Sequence, residues 1–145
     1  MRLAIDRATD EQLEEIEQFA IASAKEDPTR TVDDLVLLDE KFHEYLVGLT
    51  GNTQMLEALR NINSRIQFVR WMDMTERRPE TQQQHRAILA ALKGRSVQAA
   101  EQCIHEHIAQ RLDQIVEKVE RSYGRIFVRK HRAAAAPIPE AVATR

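Results

Sequence analysis

The sequence predicts an all-α protein, an antiparallel bundle of about six helices, on three observations. Apolar residues recur at three- and four-residue intervals, the spacing of one helix face. The chain of 145 residues holds only 4 glycines and 4 prolines, too few turn-formers for an all-β fold. The breaks between periodic stretches are short, so consecutive helices are expected to fold back as antiparallel neighbours. The length suits one domain with a real core.

The first helix is expected to start at Thr9. Thr9-Asp10-Glu11-Gln12 has the form of a capping box, in which hydroxyl and amide satisfy each other's backbone N–H. Leu13, Ile16, Ala20 and Ala24 follow at helical spacing, and Asp27-Pro28 stops the element. A second helix is expected over 32–49, with Leu35, Leu38, Phe42, Leu46 and Leu49 on its apolar face and Gly51-Asn52 as the turn. A third is expected over 53–75, with Met55, Leu59, Ile62, Ile66 and Val69 in one stripe. Arg77-Arg78-Pro79 breaks it, and Pro79 suits the first turn of a fourth helix that ends at Lys93-Gly94. Ser96 caps a long fifth helix carrying Val97, Ala100, Ile104, Ile108, Ile115 and Val119. After Gly124 the pattern weakens to an apolar patch, Ile126-Phe127-Val128, and a tail with His131 and two prolines. The expected organisation is a bundle over 1–124 and an extension over 125–145.

Composition narrows the function. With 21 basic against 23 acidic residues the formal charge is −2, unlike a stand-alone nucleic-acid binder. A single cysteine, Cys103, allows no internal disulfide or thiolate cluster and reads as a small buried hydrophobe. No apolar run reaches membrane-spanning length and no charged-then-apolar leader opens the chain, so a cytoplasmic protein is expected. There is neither a glycine-rich phosphate loop nor a Gly-x-Ser-x-Gly elbow.

The informative residues are those that break the apolar stripes. Asp39 and His43 fall among Leu35, Leu38, Phe42 and Leu46, one turn apart on one face. His85 precedes Ile88 and Leu89 by one turn and Leu92 by two. His107 sits about 60° from Ile104 and can look inward, whereas His105 lies about 100° to the other side. Three helices thus bring one carboxylate and three imidazoles toward one interior. Two readings of the pattern stand. The groups are hydrogen-bonded core residues, with Asp39–His43 an ion pair, or they hold a divalent metal such as Zn²⁺, Ni²⁺, Fe²⁺ or Mn²⁺.

Four stretches resemble a known family. They are Arg7-Ala8-Thr9-Asp10-Glu11-Gln12-Leu13; Leu38-Asp39-Glu40-Lys41-Phe42-His43-Glu44-Tyr45-Leu46 with Gly51-Asn52; Gln84-His85-Arg86-Ala87-Ile88-Leu89 through Gly94; and Ala99-Ala100 with Ile104-His105-Glu106-His107-Ile108. Together they resemble the FCD domain, the C-terminal ligand-binding domain of FadR-subfamily GntR transcription regulators, over about residues 5–122. The resemblance implies a bundle of six or seven helices. It implies a divalent metal, Zn or Ni, on Asp39, His43, His85 and His107, beside a cavity for a small organic acid. It also implies a homodimer whose winged-helix N-terminal domain contacts DNA. That domain is absent here, and the family's first effector-domain helix looks clipped, because only Met1 to Arg7 precede the capping box.

On this reading the chain is a metal-dependent, small-carboxylate-sensing and dimerisation module. Arg65 and then Arg70 are the expected effector-binding residues, because a guanidinium fork matches a carboxylate. Each has the alternative of a surface salt bridge. Two rival functions remain, a metal-dependent helical-bundle enzyme acting on a small organic acid and a purely structural metal bundle. No general base other than the ligands is evident on the inward faces, which argues against the enzyme.

Overall fold

A computed structural model describes residues 1–109 and Val116, and among them all regular structure is helical. The chain divides into two units, Met1–Ile108 and Ala109–Arg145, and the fold and site treated below lie in the first. Ile115, Val119, the patch Ile126-Phe127-Val128, His131 and the expected extension over 125–145 lie outside the described residues.

Helix α1 (Arg2–Arg7) precedes the capping box, where the sequence pattern placed only a clipped remnant. Six residues are too few to show a stripe, and Met1 gives no side-chain cap. Burial stabilises the helix instead: Ala4, Ile5 and the following Ala8 enter the core. Arg7 Nη1 donates to the Thr50 carbonyl at 2.6 Å and so ties α1 to the turn after α3. Gly51 suits that turn twice over. Its φ is +63°, and a Cβ there would lie 2.9 Å from the same guanidinium.

Helix α2 (Asp10–Ala24) begins at the expected capping box. Gln12 N donates to Thr9 Oγ1 at 3.2 Å, and Thr9 N donates to Gln12 Oε1 at 3.0 Å. Leu13, Ile16 and Ala20 are buried. The helix ends at Ala24, ahead of Asp27-Pro28, because Lys25 is already extended. Two guanidinium groups reach its carbonyl end: Arg30 Nη1 donates to Ser23 O at 3.1 Å and Arg78 Nη2 to the same oxygen at 2.8 Å. Cations at a helix C-terminus complement its dipole.

Helix α3 (Val32–Gly48) opens on a second capping box, Thr31 with Asp34. Val36, Asp39, Phe42, His43 and Leu46 are its buried residues, while Leu35 and Leu38 are half-buried. The inward face is therefore centred on the polar pair rather than beside it.

Helix α4 (Thr53–Lys93) consists of two helical arms that meet at a kink, where the sequence pattern expects its break. Arg77 there is non-helical, at φ −135° and ψ 23°. Pro79, two residues on, has no N–H for the Thr75 carbonyl, which favours the break at this point. The inward face of the first arm differs from the expected stripe. Ile62 is 53% exposed and Met55 is exposed as well, whereas Asn63, Arg70 and Met74 are buried. Leu59, Ile66 and Val69 of the expected stripe stay half-buried, so the inward face is turned by less than one residue, about 50°, from the stripe. The second arm buries Thr81, His85, Ile88, Leu89 and Leu92, as the sequence indicated for its last four.

A further helix, α5, is described over 97–109. The Ser96 hydroxyl accepts from Ala99 N at 3.3 Å, so Ser96 is its N-cap. Helix α3 packs most extensively on α4, α2 packs on both, and α1 packs on α3. One core joins Leu13, Ile16 and Ala20 of α2, Phe42 and Leu46 of α3, Ile88, Leu89 and Leu92 of α4, and Ala100. No helix among the described residues is long and apolar enough to cross a membrane.

The rotated face of α4 makes a direct prediction. Ile88→Ala, at a residue with 0% exposure, should cost about 2–5 kcal/mol. Ile62→Ala on the first arm should stay within about 0.5 kcal/mol. Urea denaturation of both variants checks this, and a large loss at Ile62 would contradict the orientation.

Candidate metal centre

Three helices position the cluster. Asp39, Phe42 and His43 come from α3, Gln84 and His85 from the second arm of α4, and His107 from α5. All three histidines are buried, and they can present donor atoms that lie within 4.8 Å of one another. The Asp-x-x-Phe-His spacing explains part of this convergence. Phe42 stacks on the His85 ring, with centroids 3.9 Å apart and planes 18° from parallel, while His43 one residue on faces His107.

The ring nitrogens of two histidines have assigned partners. His43 Nδ1 lies 2.7 Å from the Asp39 backbone carbonyl, and His107 Nδ1 lies 2.7 Å from Gln84 Oε1. Carbonyl oxygens only accept, so each Nδ1 carries the hydrogen in a neutral ring and each Nε2 keeps a lone pair. Those two Nε2 atoms stand 3.0 Å apart. Two lone pairs at that distance repel unless a proton or a cation lies between them. Imidazoles oriented by carbonyl or amide oxygens at the far nitrogen are the usual arrangement of metal-binding histidines, so the residues fit a divalent metal. His85 Nε2 adds a third ring nitrogen, 3.4 Å from Asp39 Oδ1.

Asp39 is 2% exposed and its carboxylate is shared. Oδ1 faces His85, while Oδ2 accepts from Arg70 Nη1 on the first arm of α4. Arg70 is 7% exposed, and its Nη2 donates to Asn63 Oδ1 at 3.0 Å. Asn63 is itself 4% exposed, and its Nδ2 has no hydrogen-bond partner among the described residues. Beside this group, the Glu40 carboxyl is pushed above its ordinary value. Partial burial is the main cause; Asp39 and Glu44 add to it and Arg70 opposes it.

The structure brings Asp39, His43, His85 and His107 together, and it places Arg70 on Asp39. Arg65 and His105 are exposed. The pattern in the sequence ranks Arg65 ahead of Arg70 about the apolar stripe; the inward face turns toward Arg70 instead, which buries Arg70 and leaves Arg65 exposed. Asn63 was missed, although it stands seven residues before Arg70, two helical turns along the same face. Gln84 stands beside His85 in the sequence, but its partner lies on another helix and leaves no local signal.

Two measurements follow from this electrostatics. Arg70→Met leaves a buried carboxylate uncompensated and should cost about 3–5 kcal/mol in chelator-treated protein. The double variant with Asp39→Leu should cost less than that single change, which denaturation can show. Glu40→Gln should raise stability near neutral pH, because the folded state disfavours the charged form. The gain should fade as pH falls through the carboxylate range, where Glu40 is protonated in both folded and unfolded chains. Thermal melts across pH read this difference.

Comparison with known proteins identifies the family. The FCD domain family model matches residues 1–110. The Nta operon transcriptional regulator of Aminobacter aminovorans is 33% identical over 129 residues, covering 89% of this chain and 60% of that protein. The uncharacterized HTH-type transcriptional regulator YdhC of Bacillus subtilis (strain 168) is 32% identical over 110 residues, covering 74% of this chain and 49% of that protein. The chain thus spans between about half and three-fifths of the length of these relatives. The family match runs over the same helices that converge on the histidines, and both relatives are named as transcriptional regulators. The chain belongs to the FCD domain family of GntR-type transcription regulators.

Proposed function

We propose that this chain is the effector-sensing and dimerisation module of a cytoplasmic transcription regulator, controlling DNA binding by a winged-helix domain outside the chain. In this reading His43, His85 and His107, with Asp39, hold a divalent metal, Zn or Ni, and a small organic acid is the effector. The observation that carries the reading is the convergence of three buried histidines from three helices, with donor atoms within 4.8 Å of one another and Asp39 beside His85. A metal bound there supplies a Lewis-acidic centre for a carboxylate oxygen.

The chain's own residues supply the rest. Arg70, already on a carboxylate, is the guanidinium that would orient the acid, with Asn63 fixing its outer edge. Arg65 was the first expected partner, but its exposure gives it no support in this role. An acid that engages Arg70 competes with Asp39 for it. Effector binding would therefore alter how α3 grips the first arm of α4. A ligand shifts such packing only by its differential affinity for two states.

The test is metal analysis of protein purified without chelator, together with His85→Ala and melts in the presence of small carboxylates. Stoichiometric zinc or nickel should be present in wild type and depleted in the variant. An acid at a hundredfold its Kd should add about 2.7 kcal/mol of stability without product formation. Loss of the metal requirement overturns the reading. Turnover of the acid points to an enzyme, and metal stabilisation with no response to any acid points to a structural bundle.

A further inference from the structure

The two histidines that face each other are oriented by different kinds of partner. His43 Nδ1 meets a backbone carbonyl, which can only accept, so in the neutral ring the lone pair stays on Nε2. His107 Nδ1 meets the side chain of Gln84, and a primary amide offers an acceptor at one end and donors at the other. With Oε1 toward the ring, as here, His107 carries its hydrogen on Nδ1 and offers Nε2 as a ligand. With the amide turned over, Gln84 Nε2 donates to Nδ1 and the ring hydrogen moves to Nε2. That hydrogen then points at the His43 lone pair, across a separation of ordinary hydrogen-bond length.

We propose that Gln84 is a positioning residue that switches His107 between two tautomers: a metal ligand with Nδ1–H, and a hydrogen-bond donor to His43 with Nε2–H that closes the site without metal. The switch conserves atoms and charge, since one neutral imidazole releases the hydrogen from one ring nitrogen and takes one up on the other while the amide rotates. It also explains why an amide is useful at this position. A carboxylate could only accept and would hold the ligand tautomer in both states. The placement of Gln84 supports the assignment, because it neighbours the ligand His85 on α4 and reaches across to α5.

This inference rests on the metal reading, and its test separates the two. Nitrogen-15 NMR of the histidine side chains at pH 8 distinguishes the two neutral tautomers from the charged ring and reads the tautomer directly. Zinc affinity is measured in parallel by competition with a chromophoric chelator. Wild type should show His107 as Nε2–H without zinc and as Nδ1–H with it. Gln84→Glu should keep a hydrogen on Nδ1 in both states and bind zinc at least as tightly as wild type. Gln84→Leu should weaken zinc binding by about 10–100-fold, the usual effect of removing a ligand-orienting partner. A His107 tautomer that never changes in wild type overturns the switch and leaves the metal reading standing. So does zinc affinity in Gln84→Leu equal to wild type, or a Gln84→Glu variant that loses zinc. Wild type that takes no zinc overturns both.

Discussion

The buried ion pair of Asp39 with Arg70 is the constraint around which the site is arranged. A carboxylate at 2% exposure is costly to desolvate, and a guanidinium at 7% is hardly cheaper. The pair is therefore tolerable only if each charge also finds its other partners. Asp39 finds His85, and Arg70 finds Asn63. These demands fix how α3 turns and which side of the first arm of α4 faces it. With α3 so oriented, His43 stands one turn above Asp39, aimed at His107, and Phe42 lies flat against His85.

The chain builds the site mostly from what surrounds the ligands. Backbone carbonyl, primary amide, aromatic face and carboxylate each restrict one ring, so the imidazoles are oriented before anything binds. The apolar core lies alongside on the same helices, with Leu46, Ile88 and Leu92 continuing the faces that begin with His43 and His85. Stability and site geometry thus share a scaffold. Rigid helices, not loops, carry every residue of the cluster.

Much of this was legible in the sequence. The capping box at Thr9, the ends of α3, the C-terminus of α4 at Lys93 and the start of α5 at Ser96 are written in local chemistry. The four residues Asp39, His43, His85 and His107 were legible because each interrupts an apolar face. What escaped notice depends on tertiary contacts. Helix α1 is too short to carry a period and is held by burial. Arg77-Arg78-Pro79 reads as a break, and the two arms of α4 do meet at a kink there, at non-helical Arg77. Asn63 escaped, and Arg70 stood only second, for an instructive reason. The first arm keeps Leu59, Ile66 and Val69 half-buried, but a buried carboxylate on α3 draws Asn63 and Arg70 inward beside them, against the usual expectation that such residues stay outside.

The bend in α4 divides the cluster by origin. Arg70 and Asn63 stand on the arm before Arg77; Gln84 and His85 stand on the arm after it. Arg78, one residue past the bend, is fastened to Ser23 at the end of α2, on the carbonyl that Arg30 also uses. The second arm and α2 are thereby coupled like a crank and its rod. The distance between the guanidinium and the imidazoles is thus set at one backbone position, and the same joint is tied to a helix that contributes no residue to the cluster.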